Sequence, residues 1–253
     1  MMKTRLPLSH LVFPLFLALL CSRNVTAGSP YTTDDPDTLE PGHDEFYLAS
    51  QQIKTENGRT GSLPHFELNY GLMPDVQLHA LVPLNFSETS AGQRTYGLGD
   101  AEIGVKYRLL QETDTRPMVG IYPILVSAGG NANKSLGNGA SQIYLPVWLQ
   151  KRWGDWQSNA GVGYWINHAP VAENHWFAGW QLQRDLSEQL TVGGELFHTT
   201  EQQHGQGAST GFNLGATYNL DEHNHLMFSV GRALVNANRT NQFSSYLAFQ
   251  WTS

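Results

Sequence analysis

From about residue 44 to the C-terminus the chain repeats one theme: short segments in which apolar and polar side chains alternate, set apart by clusters of Gly, Asn, Asp or Pro. In residues 75–86, Val76, Leu78, Ala80, Val82, Leu84 and Phe86 share one face, and Gln77, His79 and Asn85 the other. In residues 98–110, Ala101, Ile103, Val105, Tyr107 and Leu109 oppose Asp100, Glu102, Gly104, Lys106 and Arg108. A period of two belongs to strands whose faces meet different surroundings. No stretch carries a comparable helical stripe.

The pattern predicts strands over 43–54, 62–71, 75–86, 98–110, 117–127, 141–152, 156–168, 174–185, 189–200, 209–220, 224–234 and 243–252, twelve in all. Connections at 73–75, 154–155, 187–188 and 221–223 are tight, and 111–116 is somewhat longer. Between them fall looser polar segments at 87–97, 128–140, 201–208 and 235–242. Short turns at one end and long loops at the other are the habit of an outer-membrane barrel, and an even count returns both termini to the short-turn, periplasmic side. The hairpin closed by Glu56-Asn57-Gly58-Arg59 fits least, because its outer connection is also short.

Composition narrows the class. Charged residues make up 15% of the chain, against roughly 25% in an ordinary soluble domain. The mean hydropathy is nevertheless −0.34, which excludes a multi-span helical membrane protein. The content of Trp, Tyr and Phe excludes disorder. An acidic balance of 15 Lys plus Arg against 22 Asp plus Glu, without basic clusters, argues against a nucleic-acid partner.

The polar face favours a barrel over a soluble sheet. In 156–168, Trp156, Ala160, Val162, Tyr164 and Ile166 alternate with Gln157, Asn159, Gly161, Gly163 and Asn167. In 209–220, Phe212, Leu214, Ala216, Tyr218 and Leu220 alternate with Asn213, Gly215, Thr217 and Asn219. Amide, hydroxyl and glycine, rather than Lys and Glu, suit a crowded wet lumen. Tyr70, Phe86, Trp153, Trp156, Trp176, Trp180, Phe249 and Trp251 gather near segment ends, as interfacial girdles do. Closure also satisfies every backbone donor and acceptor in lipid. The expected fold is all-β: a single antiparallel transmembrane β-barrel of about twelve strands. The chain ends Phe249-Gln250-Trp251-Thr252-Ser253, without the terminal aromatic of many bacterial barrels.

The one uninterrupted apolar run lies at 11–21, preceded by Lys3 and Arg5 and followed by Val25-Thr26-Ala27. It is shorter than the roughly 20 residues a spanning helix needs and reads as a secretory signal cut after Ala27. Leu20 is too large for the small-residue position of a lipobox before Cys21, so lipidation is not expected. The expected domains are a signal peptide at 1–27, an acidic periplasmic segment at 28–42, and the outer-membrane barrel at 43–253. Cys21 is the single cysteine, so the exported chain holds together without disulfides.

The acidic segment carries Asp34, Asp35 and Asp37 among turn formers. It is either a plug or cation-attracting mouth, or a loose N-terminal tether with local turns, and charge and position alone favour the tether.

The strings YTTDDPDT, PGHDEFYLA, SLPHFELNYGLMPDVQLHALVPL and YGLGDAEIGVKYRLL resemble outer-membrane proteins named for a MetA pathway of phenol degradation and described as transporters. The resemblance is strongest over residues 30–110 and continues more weakly, as strand rhythm, to the C-terminus. It implies an outer-membrane barrel that helps small, often aromatic or hydrophobic compounds cross the envelope. It supplies neither a substrate nor a set of binding residues.

Glu67, Asp100, Glu102, Lys106, Arg108 and Glu195 fall on the polar face. They form either a selectivity constriction or an ion-pair lattice that stiffens the wall. Asp100, following Gly97-Leu98-Gly99, is the strongest single candidate, because the glycines allow a bend there. Tyr144, Trp148, Trp165 and Phe177 interrupt polar faces and either line a path for planar solutes or fill the lumen.

Enzyme readings are thin. His65, His79, His175 and His198 occupy strand positions, but no G-x-S-x-G is present. His223-Asn224-His225 lacks a third ligand nearby, so no metal and no cofactor is expected. In 128–135, Asn133 stands where a phosphate-binding loop needs Gly, and the stretch reads as an external loop. The sequence therefore points to a passive channel for small molecules, with outer-membrane lipid, lipopolysaccharide and the barrel-assembly machinery as its surroundings. The alternatives are a closed structural or interaction barrel and, behind it, a barrel lipid hydrolase.

Overall fold

Residues 30–253 are described by a computed structural model; the expected signal peptide and Cys21 lie outside the described residues. The strand segments are β1(Asp44–Thr55), β2(Gly58–Met73), β3(Val76–Thr89), β4(Arg94–Leu98), β5(Glu102–Leu110), β6(Met118–Ile121), β7(Ile124–Val126), β8(Gln142–Trp153), β9(Trp156–Asn167), β10(His175–Asp185), β11(Leu190–Thr199), β12(Ser209–Asn219), β13(Asn224–Val235) and β14(Phe243–Thr252). Among the described residues only two helical turns interrupt them, Ala132–Lys134 and Ala237–Thr240.

All pairings between these strands are antiparallel, and β1 pairs with β14 from Glu45 opposite Thr252 to Lys54 opposite Phe243. The sheet is thereby a closed barrel of 12 staves. Two staves are each built from two segments. β4 and β5 are separated at residues 99–101, where the Gly99 N–H donates to the Pro83 carbonyl. β6 and β7 are separated at Tyr122 and Pro123, and the Val105 N–H donates to the Pro123 carbonyl. Proline has no N–H for a ladder and glycine adds no side-chain packing, so strands bend or break at such positions.

The alternation sorts the faces. Leu48, Phe66, Val82, Ile103, Leu145, Val162, Leu196, Leu214, Phe228 and Leu247 point outward and are exposed. Asn69, Gln77, His79, Gln150, Asn159, Gln181, Asn213, Ser229 and Gln250 point inward and are buried. This inverts a soluble protein, and a continuous apolar exterior of that extent needs a hydrocarbon solvent. No helix among the described residues is long and apolar enough to cross a membrane.

The residues at 87–97 depart from the expected loop. β3 continues to Thr89, and β4 folds back on it with Arg94 opposite Glu88. β2 likewise begins at Gly58, ahead of the expected 62. In this protruding hairpin the side chains are mostly polar on both faces, so the ladder continues where the apolar alternation has faded. Glu88 there accepts from Arg59 at 2.8 Å and from Arg94 at 3.1 Å. Trp180 also departs from its expected girdle: it sits mid-strand opposite Ala160, and its indole N–H donates to Ser158 Oγ at 2.9 Å.

Candidate functional site

The lumen is occupied in its lower part by the chain's own N-terminal segment. Thr33 and Asp35 are 0% and 2% exposed, and Pro36, Asp37 and Thr38 are also buried. The segment is therefore inside the barrel wall, not hanging below it as a tether would. It starts on the β11–β13 side, where Ser229 Oγ donates to the Pro30 carbonyl and Tyr31 Oη donates to the Gly215 carbonyl at 3.0 Å. It crosses to β5 and leaves at the short-turn end, where the Gly42 N–H donates to the Gly71 carbonyl at 2.8 Å.

Three charged inward residues hold this strap. The Glu195 carboxylate accepts from the Thr32 N–H and the Thr33 N–H, each at 2.9 Å, and from Thr33 Oγ1 at 3.1 Å. Lys106 Nζ lies 3.1 Å from Asp34 Oδ1 and 3.5 Å from Asp35 Oδ1. Arg108 donates from Nη1 to Asp37 and from Nε to Asp75, both at 2.7 Å. Gln77 adds an acceptor for the Leu39 N–H at 3.0 Å. The wall makes room with glycine: a Cβ on Gly179 would overlap Thr33 Oγ1, and one on Gly120 would stand 2.8 Å from Pro36 Cβ. Burial, then the charge of Glu195, pushes the Tyr31 phenol above its ordinary pKa and keeps it a neutral donor. Burial, then the Asp35 carboxylate, raises the pKa of Asp37 against the pull of Arg108.

Above the strap lies a cavity of about 660 Å³ that reaches the loop end of the barrel. Pro30, Tyr31, Thr32 and Asp34 contribute to its floor, and Asn138, Gln202 and Gln203 belong to its rim. Register places Tyr47, Glu67, Leu81 and Glu102 side by side on neighbouring staves, and all four line it. Glu67 accepts from Asn69 Nδ2 at 3.0 Å and lies 3.5 Å from His79 Nδ1. Tyr122, 6% exposed, meets the His79 ring edge-on at 5.5 Å. The opposite wall is aromatic. Trp165 stacks on Tyr144 at 4.4 Å and on His175 at 6.0 Å, and Phe177 stacks on Phe197 at 6.5 Å.

The candidates thus divide into separate places. Lys106, Arg108 and Glu195 grip the strap, together with Asp34, Asp35 and Asp37 on the strap itself. Glu67, Glu102, Trp165 and Phe177 line the cavity. Tyr144 and the 1%-exposed Trp148 pack behind that lining. Asp100 joins neither group: its carboxylate accepts from the Gly130 and Asn138 N–H groups, each at 2.7 Å, and ties the external loop to the bend. Tyr122, Phe197 and Tyr246 also line the cavity, and the sequence pattern does not single them out. Tyr122 sits at the break before Pro123, where strict alternation no longer tells inward from outward.

Of the histidines, His65, His79 and His175 line the cavity, whereas His198 is exposed and bonds Thr210. Ser62 Oγ and His65 Nδ1 are 2.7 Å apart, but Ser62 is 1% exposed and the contact braces β2 locally. No group of His, Cys, Asp or Glu suited to a metal ion occurs among the described residues.

No protein-family model and no curated protein matches the sequence. Among solved structures the chain is similar to the COG4313 outer membrane channel from Pseudomonas putida F1, with a TM-score of 0.71 and 18% identity over 87% of this chain and 98% of that one. It is also similar to the NanC porin, with a TM-score of 0.56 and 8% identity over 82% of this chain and 98% of that one. The KdgM porin in complex with disordered oligogalacturonate gives a TM-score of 0.54 and 9% identity, covering 83% of this chain and 98% of that one. At these identities the likeness is one of fold.

Proposed function

We propose that the chain is an outer-membrane channel for passive movement of small molecules, closed from the periplasmic side by its own residues 30–42. One observation carries this reading: the barrel wall is complete without the strap. Every stave pairs with two others, while the strap is held by side-chain contacts and a few backbone hydrogen bonds. A polar lumen wider than the side-chain-filled interior of roughly eight-stranded barrels then needs only the strap's displacement to conduct. Export by a cleaved signal and residence among outer-membrane lipid and lipopolysaccharide, after insertion by the assembly machinery, follow from this reading. The phenol-degradation resemblance adds small aromatic or hydrophobic solutes, which the Trp165, Phe177 and Phe197 face supports.

The closed lumen gives a structural or interaction barrel a specific footing as the second reading. The hydrolase reading has only the Ser62–His65 contact, and that serine is shut away from the cavity. Liposome swelling and single-channel conductance with phenolic, fatty and sugar solutes separate the first two. Deleting residues 28–42 is expected to raise flux at least about tenfold. Equal flux with and without them would remove the strap as the closing element, and no flux in either form would favour the structural barrel.

A further inference from the structure

We propose that the cavity above the strap is a binding site for a small organic cation, an ammonium group carried on an aromatic or hydrocarbon body. This deepens the channel reading, on which its meaning for transport rests. The first observation is charge. Asp34, Glu67 and Glu102 line the cavity, and neither Lys nor Arg does. Lys106 and Arg108 are bound to the strap below, with Lys106 Nζ also 5.1 Å from the centre of the Tyr122 ring. Asp34 is paired with Lys106, so Glu67 and Glu102 set the sign of the site.

The second observation is a pair of unsatisfied groups. The Tyr122 hydroxyl makes no hydrogen bond among the described residues although the side chain is 6% exposed. Glu102 on the same wall makes no hydrogen bond and no ion pair within 4 Å among the described residues, and the favourable charge acting on it is that of His79. Both line the cavity, so a ligand reaching them displaces no protein partner. A ligand ammonium supplies N–H donors for both, and Glu67 lies on the same row.

The third observation is the opposite wall. Tyr122 packs in one cluster with Tyr144, Trp148 and Phe177, against which Trp165 and Phe197 lie. The acidic and aromatic walls therefore meet at Tyr122. Aromatic faces attract cations and stack on planar bodies, whereas a hydrated metal ion gains nothing from them. A volume of about 660 Å³ lies within the roughly 300–1,000 Å³ range of small-molecule sites. Anions such as uronates find no Lys or Arg here.

The test is equilibrium binding to full-length protein in detergent, by calorimetry and tryptophan fluorescence. The probes are 2-phenylethylammonium, the neutral 2-phenylethanol and the anionic phenylacetate. The ammonium is expected to bind at least about tenfold more tightly than the alcohol, with phenylacetate weaker still. E102Q and E67Q are each expected to lose most of that preference, and W165A to weaken the ammonium and the alcohol alike. Heat-modifiable gel mobility reports folding, and Y122F, which keeps the ring, serves if a glutamate variant does not insert. Equal binding of the three probes, or an ammonium preference that survives E102Q and E67Q together, would overturn the proposal. Because binding is measured on the closed protein, it is independent of flux: binding without flux through the truncated barrel removes the channel reading alone, and flux without charge preference removes this one alone.

Discussion

The two halves of the lumen solve opposite problems with the same wall. In the lower half the charges around the strap are answered: Lys106 by Asp34 and Asp35, Arg108 by Asp37 and Asp75, and Glu195 by the strap's own amides, while Glu45, 1% exposed, is met by the Tyr47 hydroxyl at 3.0 Å. In the upper half Glu102 and the Tyr122 hydroxyl go unanswered around an open cavity. Both halves are cut from one closed ladder, so the difference is made by side chains and a short strap, not by the fold. A barrel of this kind is sealed or open according to where its few cations sit.

The largest expected effect comes from breaking the lower half at Lys106. K106M removes the cation that Asp34 and Asp35 share, and breaking a buried pair costs about 3–5 kcal/mol. The strap should leave the lumen, with current rising toward the level of the 28–42 deletion and new protease cuts within residues 30–42. Continued protection of the strap would show that Lys106 does not hold it. Next is D100A in the upper half, which removes a charged acceptor from the Gly130 and Asn138 N–H groups, worth about 1.5–3 kcal/mol. Amide exchange should quicken in the loop at 127–141 while the strap and the current stay as they are; a change in current would tie the halves together.

Overfilling the strap's seat comes third. G179A places a Cβ against Thr33 Oγ1 and should loosen docking by about 1–3 kcal/mol, seen as partial protease sensitivity without loss of barrel folding. The smallest effect is pH-dependent. Because Asp37 has a raised pKa in the docked strap, protonation favours docking, and that contribution is lost as pH rises from about 4 through the raised value. Strap protection should decline gently over that interval, and D37N should flatten the decline.

Much of this was legible in the sequence. The staves could be read because one side of each strand meets an apolar exterior, which imposes the period of two on residues such as 75–86 and 209–220. The same cause limited the reading at 87–97, where the hairpin has polar side chains on both faces and the backbone ladder leaves no trace in composition. The strap was least legible. Asp34, Asp35 and Asp37 look alike in a solvated tether and in a buried segment, and what distinguishes them is Lys106, Arg108 and Glu195, far along the chain. Asp100 was recognised for the bend beside it, but its carboxylate serves the external loop, a partnership that no local spacing encodes.

The central claim is that residues 30–42 close a lumen that is otherwise passable, and a reversible lock tests it most directly. Pro36 Cβ stands 2.8 Å from the place of a Gly120 Cβ, near enough for a P36C/G120C disulfide, which prefers about 3.5–4.5 Å, to form with a slight retreat. Single-channel recording of the oxidised protein should show a shut lumen, the reduced protein should show openings, and deletion of residues 28–42 should conduct under both conditions. Current through the oxidised, locked protein equal to that of the deletion would contradict the account.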